Sequence, residues 1–297
     1  MGKRTNISWT THTWNPWQGC HKVSLGCKHC YAETLVEKRM GRKFTEIRRS
    51  APTTFSAPLK WNREFVLKNP VGGPRPKEYV FACSISDFFI EEADAWRDEA
   101  WEIIRRTPHL TYQILTKRPE RIAECLPRTC FHCGVDTIEY LNDCLRTALK
   151  DGPIVTKWKL DNGEIRECCR TPSAWPWPNV WLGTSVENQR RAEERIPRLV
   201  AVPAVVHFLS CEPLLGPIDF GMMEPVLGPG NHALLNDIEW IIIGGESGPN
   251  YRKMELDWAR SIRDQCKAAG VPFFGKQDSG SRSEIRLSPD LDIREMP

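Results

Sequence analysis

The chain has 297 residues, 40% of them apolar and 27% charged, with a net charge of +3. These are the proportions of an ordinary globular protein with enough chain for a sizeable core, near the length of an α/β barrel. No run approaches the roughly 20 apolar residues of a membrane span, and so small a net charge neither demands nor excludes a nucleic-acid partner.

The opening M-G-K-R-T-N-I-S-W-T-T has no apolar signal-peptide core, so the expected location is the cytoplasm. In that compartment the twelve cysteines are metal ligands or small buried residues, as expected for the isolated Cys266, rather than disulfide partners.

The first informative element is W-N-P-W-Q-G-C-H-K-V-S-L-G-C-K-H-C-Y-A-E, which holds Cys20, Cys27 and Cys30. Three thiolates hold three irons of a cubic four-iron cluster and leave the fourth iron open to a substrate or cofactor. An electron carrier normally closes all four positions with cysteine. The next cysteine is Cys83, so no local fourth ligand exists. By spacing alone a C-x2-C pair is also half of a zinc site, which His12, His21 or His29 would complete; both readings stand. Trp9, Trp14 and Trp17 crowd the motif, where they would shield a cluster, stack on bases or simply pack. The basic stretch that follows (Lys38, Arg39, Arg42, Lys43, Arg48, Arg49) reads as a phosphate-contacting surface or as a solvated helix face.

Six short apolar runs then read as buried parallel strands: Tyr79–Cys83, Leu110–Leu115, Val180–Gly183, Val205–Leu209, Ile238–Ile243 and Val271–Phe274. Helical patterns at Ala93–Arg106, Asn188–Val200 and Asp257–Ala269 alternate with them, which implies a parallel α/β sheet with right-handed crossovers. Each run ends in unusual residues: S-I-S-D-F-F, T-K-R-P, T-S-V-E-N-Q, S-C-E-P-L-L-G-P, G-G-E-S-G-P and G-K-Q. One such end is an ordinary cap or turn. Six in succession suit the mouth of a barrel, to which all carboxyl ends of parallel strands point.

The pattern breaks across 128–178, where Cys130, Cys133, Cys144, Cys168, Cys169 and His132 gather. The order resembles a zinc-stapled insertion with ligands Cys130, Cys133, Cys168 and one of Cys169 or Cys144; the same residues also read as unmetallated thiols. The division is therefore an N-terminal part of the barrel at 1–127, a Cys-rich insertion at 128–178, and the remaining barrel and tail at 179–297.

The runs I-S-W-T-T-H-T-W-N-P-W-Q-G-C-H-K-V-S-L-G-C-K-H-C-Y-A-E, C-S-I-S-D-F-F, L-T-K-R-P-E-R, N-V-W-L-G-T-S-V-E-N-Q, F-L-S-C-E-P-L-L-G-P-I and I-I-I-G-G-E-S-G-P closely resemble a phage-encoded three-cysteine-motif family of unknown function that is radical-SAM-like. The likeness spans most of the chain. The insertion and the segment after Gln277 fit less well: members often place Trp-Gly where Asp278 and Ser279 stand.

The resemblance implies an α/β fold, a partial (βα) barrel of radical-SAM type, with a [4Fe–4S] cluster and S-adenosylmethionine (SAM) as cofactors and zinc in the insertion as an open question. Cys20, Cys27 and Cys30 match the cluster ligands, with a C-x6-C gap longer than the usual C-x3-C. Ser84, Ser86 and Asp87 stand at the strand end that holds the SAM amino group. Ser185, Glu187 and Glu246 stand at later ends, where ribose, carboxylate or substrate contacts are expected. Cys211 and Glu212 are the catalytic candidates; Cys211 or Cys83 would return a hydrogen atom.

The implied function is a radical-SAM enzyme that generates a 5′-deoxyadenosyl radical and modifies or repairs a nucleobase, nucleotide or nucleic acid. It would work with a reductant protein, away from any membrane, in the host's cytoplasm if phage-encoded. The alternative is a non-catalytic, zinc-stabilised nucleic-acid-binding protein that uses both cysteine groups for metal.

Overall fold

The computed structural model describes residues 5–69, 77–131, 157–159, 165–167, 175–222, 234–282 and 285–297. Seven parallel strands form the frame: β1 (His12–Trp14), β2 (Glu78–Ala82), β3 (Leu110–Thr116), β4 (Val180–Ser185), β5 (His207–Cys211), β6 (Trp240–Gly244) and β7 (Phe273–Gln277). Neighbours in the sheet are neighbours in the chain, from β1 at one edge to β7 at the other. A parallel neighbour is reached only by a crossover, and right-handed crossovers that always step the same way stack on one face. The sheet curls into a half-barrel with its other face concave.

Strand periodicity divides the core in two. Val80, Tyr112, Ile114, Leu182, Leu209 and Ile241 belong to the larger core, which also takes in buried residues of the helices. Phe81, Trp181, Phe208, Trp240 and Phe274 join Trp9 in a second, aromatic core on the concave face. Gly183 is small because the Phe208 ring occupies its side-chain space: an added Cβ would lie 2.5 Å from Phe208 Cζ.

Six of these strands match the apolar runs. β1 was not anticipated: its H-T-W has no apolar run and is recognisable only through pairing, His12 opposite Val80. The last three strands begin two residues later and extend further than the runs imply. Their final residues, such as Ser210 and Lys276, are polar but line a cavity, so hydropathy mistakes them for loop.

Five helices matter here: α1 (Tyr31–Thr34), α2 (Ala57–Lys68), α3 (Asp94–Arg105), α4 (Gln189–Val200) and α5 (Leu256–Ala269). A π turn, Leu35–Arg39, continues α1. In α3, Ala100, Trp101, Ile103 and Ile104 are buried; α4 is capped by the Asn188 side chain, which accepts from Arg191 N; α5 stops at Gly270, whose φ of 70° is a left-handed C-cap. The apolar pattern missed α2, which buries only Pro58, Trp61 and Phe65.

β3 pairs directly with β4, so the segments on either side of the insertion share one sheet. Within the insertion an antiparallel ribbon joins Lys157–Lys159 to Ile165–Glu167, and Trp177 packs 5.6 Å from Trp101. Cys130 is buried; Cys133, Cys144, Cys168, Cys169 and His132 lie outside the described residues, and the zinc expectation with them.

The C-terminal tail covers the β7 edge, which would otherwise offer unpaired backbone groups. Gly275 N donates to Ile293 O at 2.9 Å and Glu295 N to Phe273 O at 3.1 Å. A Cβ on Gly275 would lie 1.9 Å from Leu291 O. Gly275→Ala is therefore expected to cost about 1–3 kcal/mol through overpacking against backbone, read as a lower urea midpoint. Gly216→Ala, whose Cβ meets only Asn188 at 3.5 Å, should shift the midpoint little.

Candidate functional site

The carboxyl ends of β2 to β7 converge on one cavity of about 1130 Å³, and the cysteine loop forms its wall. Ser84, Ser86 and Asp87 come from the β2 end, Lys117 and Arg118 from β3, and Ser185 from β4. Ser210 and Glu212 come from β5, Gly245 and Glu246 from β6, and Lys276 from β7. Trp9, Phe81 and Leu115, which belong to the aromatic core and its border, line it as well.

Cys20, Cys27 and Cys30 all line this cavity, half-buried and without disulfide partners. Gly19 lets the chain turn into the loop: its φ is 94°, and a Cβ would meet Phe44 O and Glu46 O at 2.7 Å. Cys20 N then donates to Phe44 O, and a 3₁₀ turn, Leu25–Cys27, leads to Cys30 at the N-cap of α1.

The thiols differ electrostatically. Burial, helped by the Asp87 charge and opposed by Arg118, pushes Cys20 up to about 11. Burial also acts to raise Cys27, but the Lys117 charge with hydrogen bonds from Val23 and Ser24 outweighs it and lowers that thiol.

Three charge pairs, two of them buried, clamp the loop onto the barrel. Arg118 Nη1 lies 3.6 Å from Cys20 Sγ and 3.1 Å from Asp87 Oδ2, while its Nη2 donates to His21 O at 3.0 Å. Glu187 is fully buried; its Oε2 meets Arg195 Nη1 at 2.9 Å and its Oε1 accepts from Gly26 N at 3.3 Å. Glu246 Oε2 meets His29 Nδ1 at 3.0 Å and accepts from Arg252 N at 2.8 Å, and Arg252 Nη1 donates to Leu25 O at 3.0 Å.

Several side chains expected to meet a cofactor are thus committed to the protein. Asp87 accepts from Phe89 N, Thr116 Oγ1, Lys117 N and Arg118 Nη1, which leaves little of its capacity for an ammonium group. Ser84 Oγ is bound to Asn15, and Ser86 Oγ donates to Gly19 O at 2.6 Å. Glu187 and Glu246 hold the loop. Cys211 is fully buried and belongs to the core beneath the helices, while its neighbours Ser210 and Glu212 line the cavity. Cys83 does line it, with burial pushing its thiol well up.

Ser185 and Glu212 line the cavity. Each has a lysine partner that sequence reasoning missed: Lys117 Nζ to Ser185 Oγ at 3.0 Å, and Lys276 Nζ to Glu212 Oε1 at 2.9 Å. Both lysines stand in the strand-end motifs T-K-R-P and G-K-Q, and position at a strand end was the signal for them.

The histidines do not gather round the thiols. His12 stacks on Trp61 and meets Glu78, His21 meets Glu92, and His29 meets Glu246. Among the described residues no three His, Cys, Asp or Glu side chains close around a single metal ion. Trp14 and Trp17 are core residues that donate to Phe55 O and Asp87 O. In the basic stretch, Arg48 pairs with Glu46 and Arg49 with Glu99, while Lys38 and Arg39 line the cavity.

Glu187 and Glu246 both titrate below the ordinary glutamate range. Burial raises each, and the opposing charges and donors outweigh it: Arg195, Ser24, Lys117 and Gly26 at Glu187, and Arg252 and His29 at Glu246. A lowered folded-state value gives stability that is present above the unfolded value and lost as pH falls through the folded one. The urea midpoint should therefore fall once the pH drops below about 4.3. Glu246→Gln should flatten that fall; an unchanged profile would contradict the clamp.

Fold and site together define a parallel α/β half-barrel with a three-thiol cavity at its strand ends. The chain belongs to the family described as protein of unknown function (DUF5131), whose model matches residues 4–290. No curated protein and no solved structure matches it.

Proposed function

We propose that this protein is a radical-SAM enzyme in which Cys20, Cys27 and Cys30 hold a [4Fe–4S] cluster with one open iron. One observation carries the reading: three free thiols share a cavity at the carboxyl ends of a parallel half-barrel. The donor set fits, because thiolates are the ligands such clusters take.

When bound, the cluster and SAM supply reductive cleavage of a sulfur–carbon bond, giving methionine and a 5′-deoxyadenosyl radical. The chain's own residues do the rest. Lys117 favours the Cys27 thiolate, and Arg118 opposes the burial that raises the Cys20 thiol. Ser185, Glu212 and Lys276 offer polar contacts beside the loop for the amino, carboxylate and ribose groups of SAM or for substrate. The aromatic core closes the concave face behind them against water. Cys83, which lines the cavity, is the thiol proposed to return a hydrogen atom. A reductant protein supplies the electron, and a nucleobase, nucleotide or nucleic acid is the proposed substrate.

The test is anaerobic incubation of iron-loaded protein with SAM, a strong reductant and oligonucleotides. Release of 5′-deoxyadenosine by the native chain, and its loss when the three cysteines are replaced, supports the reading. No release from fully loaded protein contradicts it.

A further inference from the structure

The charge on the cavity is lopsided. Among the described residues nine Lys or Arg and four Asp or Glu line it, a basic surplus of five where the whole chain carries only +3. Basic character is thus gathered at this mouth.

Lys22, Arg118, Lys276 and Arg294 each face a carboxylate. Lys28, Lys38, Arg39 and Arg286 are exposed on the rim, and none forms an ion pair among the described residues. They come from three separate segments: the cysteine loop, the π turn after α1, and the tail beyond β7. The same lining includes Tyr31, a residue 51% exposed immediately after Cys30, whose hydroxyl donates to Ser84 O.

Unpaired cations beside an exposed ring form the chemistry that binds a single nucleic-acid strand: the cations follow the phosphates and the ring stacks on a base. Four cations spread over three segments exceed what one mononucleotide phosphate engages. The aromatic floor lies below the rim, and a base can bring its reacting atom there only when it is out of a duplex.

We infer that this rim docks a single-stranded polynucleotide. Its phosphates lie on Lys28, Lys38, Arg39 and Arg286, and its base enters past Tyr31. The inference deepens the proposed function by naming its substrate class, and it rests on that reading for the chemistry; strand binding itself requires no cluster.

The test is fluorescence anisotropy of the purified full chain with a short labelled mixed-sequence strand, its duplex and a nucleoside monophosphate, across a salt series. The single strand should bind roughly tenfold or more tighter than either competitor. Lys38→Ala with Arg39→Ala should weaken it and reduce the slope of log affinity against log salt by about 1.4. Tyr31→Leu should weaken binding roughly fivefold or more with the slope unchanged, and Tyr31→Phe should restore it. Lys60→Ala with Arg63→Ala, on α2 away from the cavity, should change nothing.

Equal or tighter duplex binding, preference for the monophosphate, or an unchanged slope in the Lys38/Arg39 variant would overturn the inference. Iron measured on the same preparations separates the two proposals. Iron without strand binding refutes this one alone, and strand binding without iron refutes the cluster alone.

Discussion

Cys27→Ala, purified without oxygen, is expected to retain almost none of the roughly four irons of the proposed cluster, and Cys20→Ala and Cys30→Ala the same. Cys83→Ala and Cys211→Ala are expected to keep the full complement. The contrast follows from position. Cys20, Cys27 and Cys30 sit on one loop at the cavity wall, whereas Cys211 is packed beneath the helices. Cys83 is the informative control, because it lines the same cavity. It stands at the end of β2, apart from the loop that carries Cys20, Cys27 and Cys30. Loss of iron in Cys83→Ala would identify a fourth ligand and make the protein an electron carrier. Iron and sulfide analysis, with the visible absorption of the brown protein, reads all five variants.

The second large effect is on stability. Glu187→Gln is expected to cost about 3–5 kcal/mol, since it leaves the Arg195 guanidinium buried without its counter-charge. The Arg195 side chain is 3% exposed and that of Glu187 0%, so water cannot take the missing partner's place. That is a large share of the roughly 5–15 kcal/mol holding a typical domain together. Replacing both at once, Glu187→Leu with Arg195→Met, should cost far less than the two single changes added, because no orphan charge remains. Urea unfolding measures the cycle. Additive costs would show that the pair is not coupled and would contradict the account of Glu187 as the counter-charge of Arg195.

The sequence showed more of the frame than of the machinery. Near-continuous apolar runs such as I-E-W-I-I-I can be read because strands covered on both faces have no polar side. The polar strand ends converge on one mouth for a topological reason, so S-I-S-D, C-E-P and G-K-Q were legible as a group. The clamps were not. His29 meets Glu246 across 217 residues and Gly26 meets Glu187 across 161, and no local pattern reports such pairs. A carboxylate at a strand end looks the same whether it faces a ligand or holds a loop; Glu187 and Glu246 hold the loop, Glu246 while also lining the cavity with Glu212. That Cys211 points into the core and its neighbours into the cavity follows from strand alternation, which the motif alone does not phase. Lys117 and Lys276 were overlooked because lysine is so often a solvated surface residue.

The central claim is that three cysteines hold a four-iron cluster with one corner free. Its most direct test is the electron paramagnetic resonance spectrum of the reduced, anaerobically purified protein before and after addition of SAM, with iron and sulfide counted on the same sample. The account predicts about four of each per chain and a spectrum that changes when SAM binds the open iron. A protein holding only zinc at these cysteines, or a cluster whose spectrum ignores SAM, would contradict it.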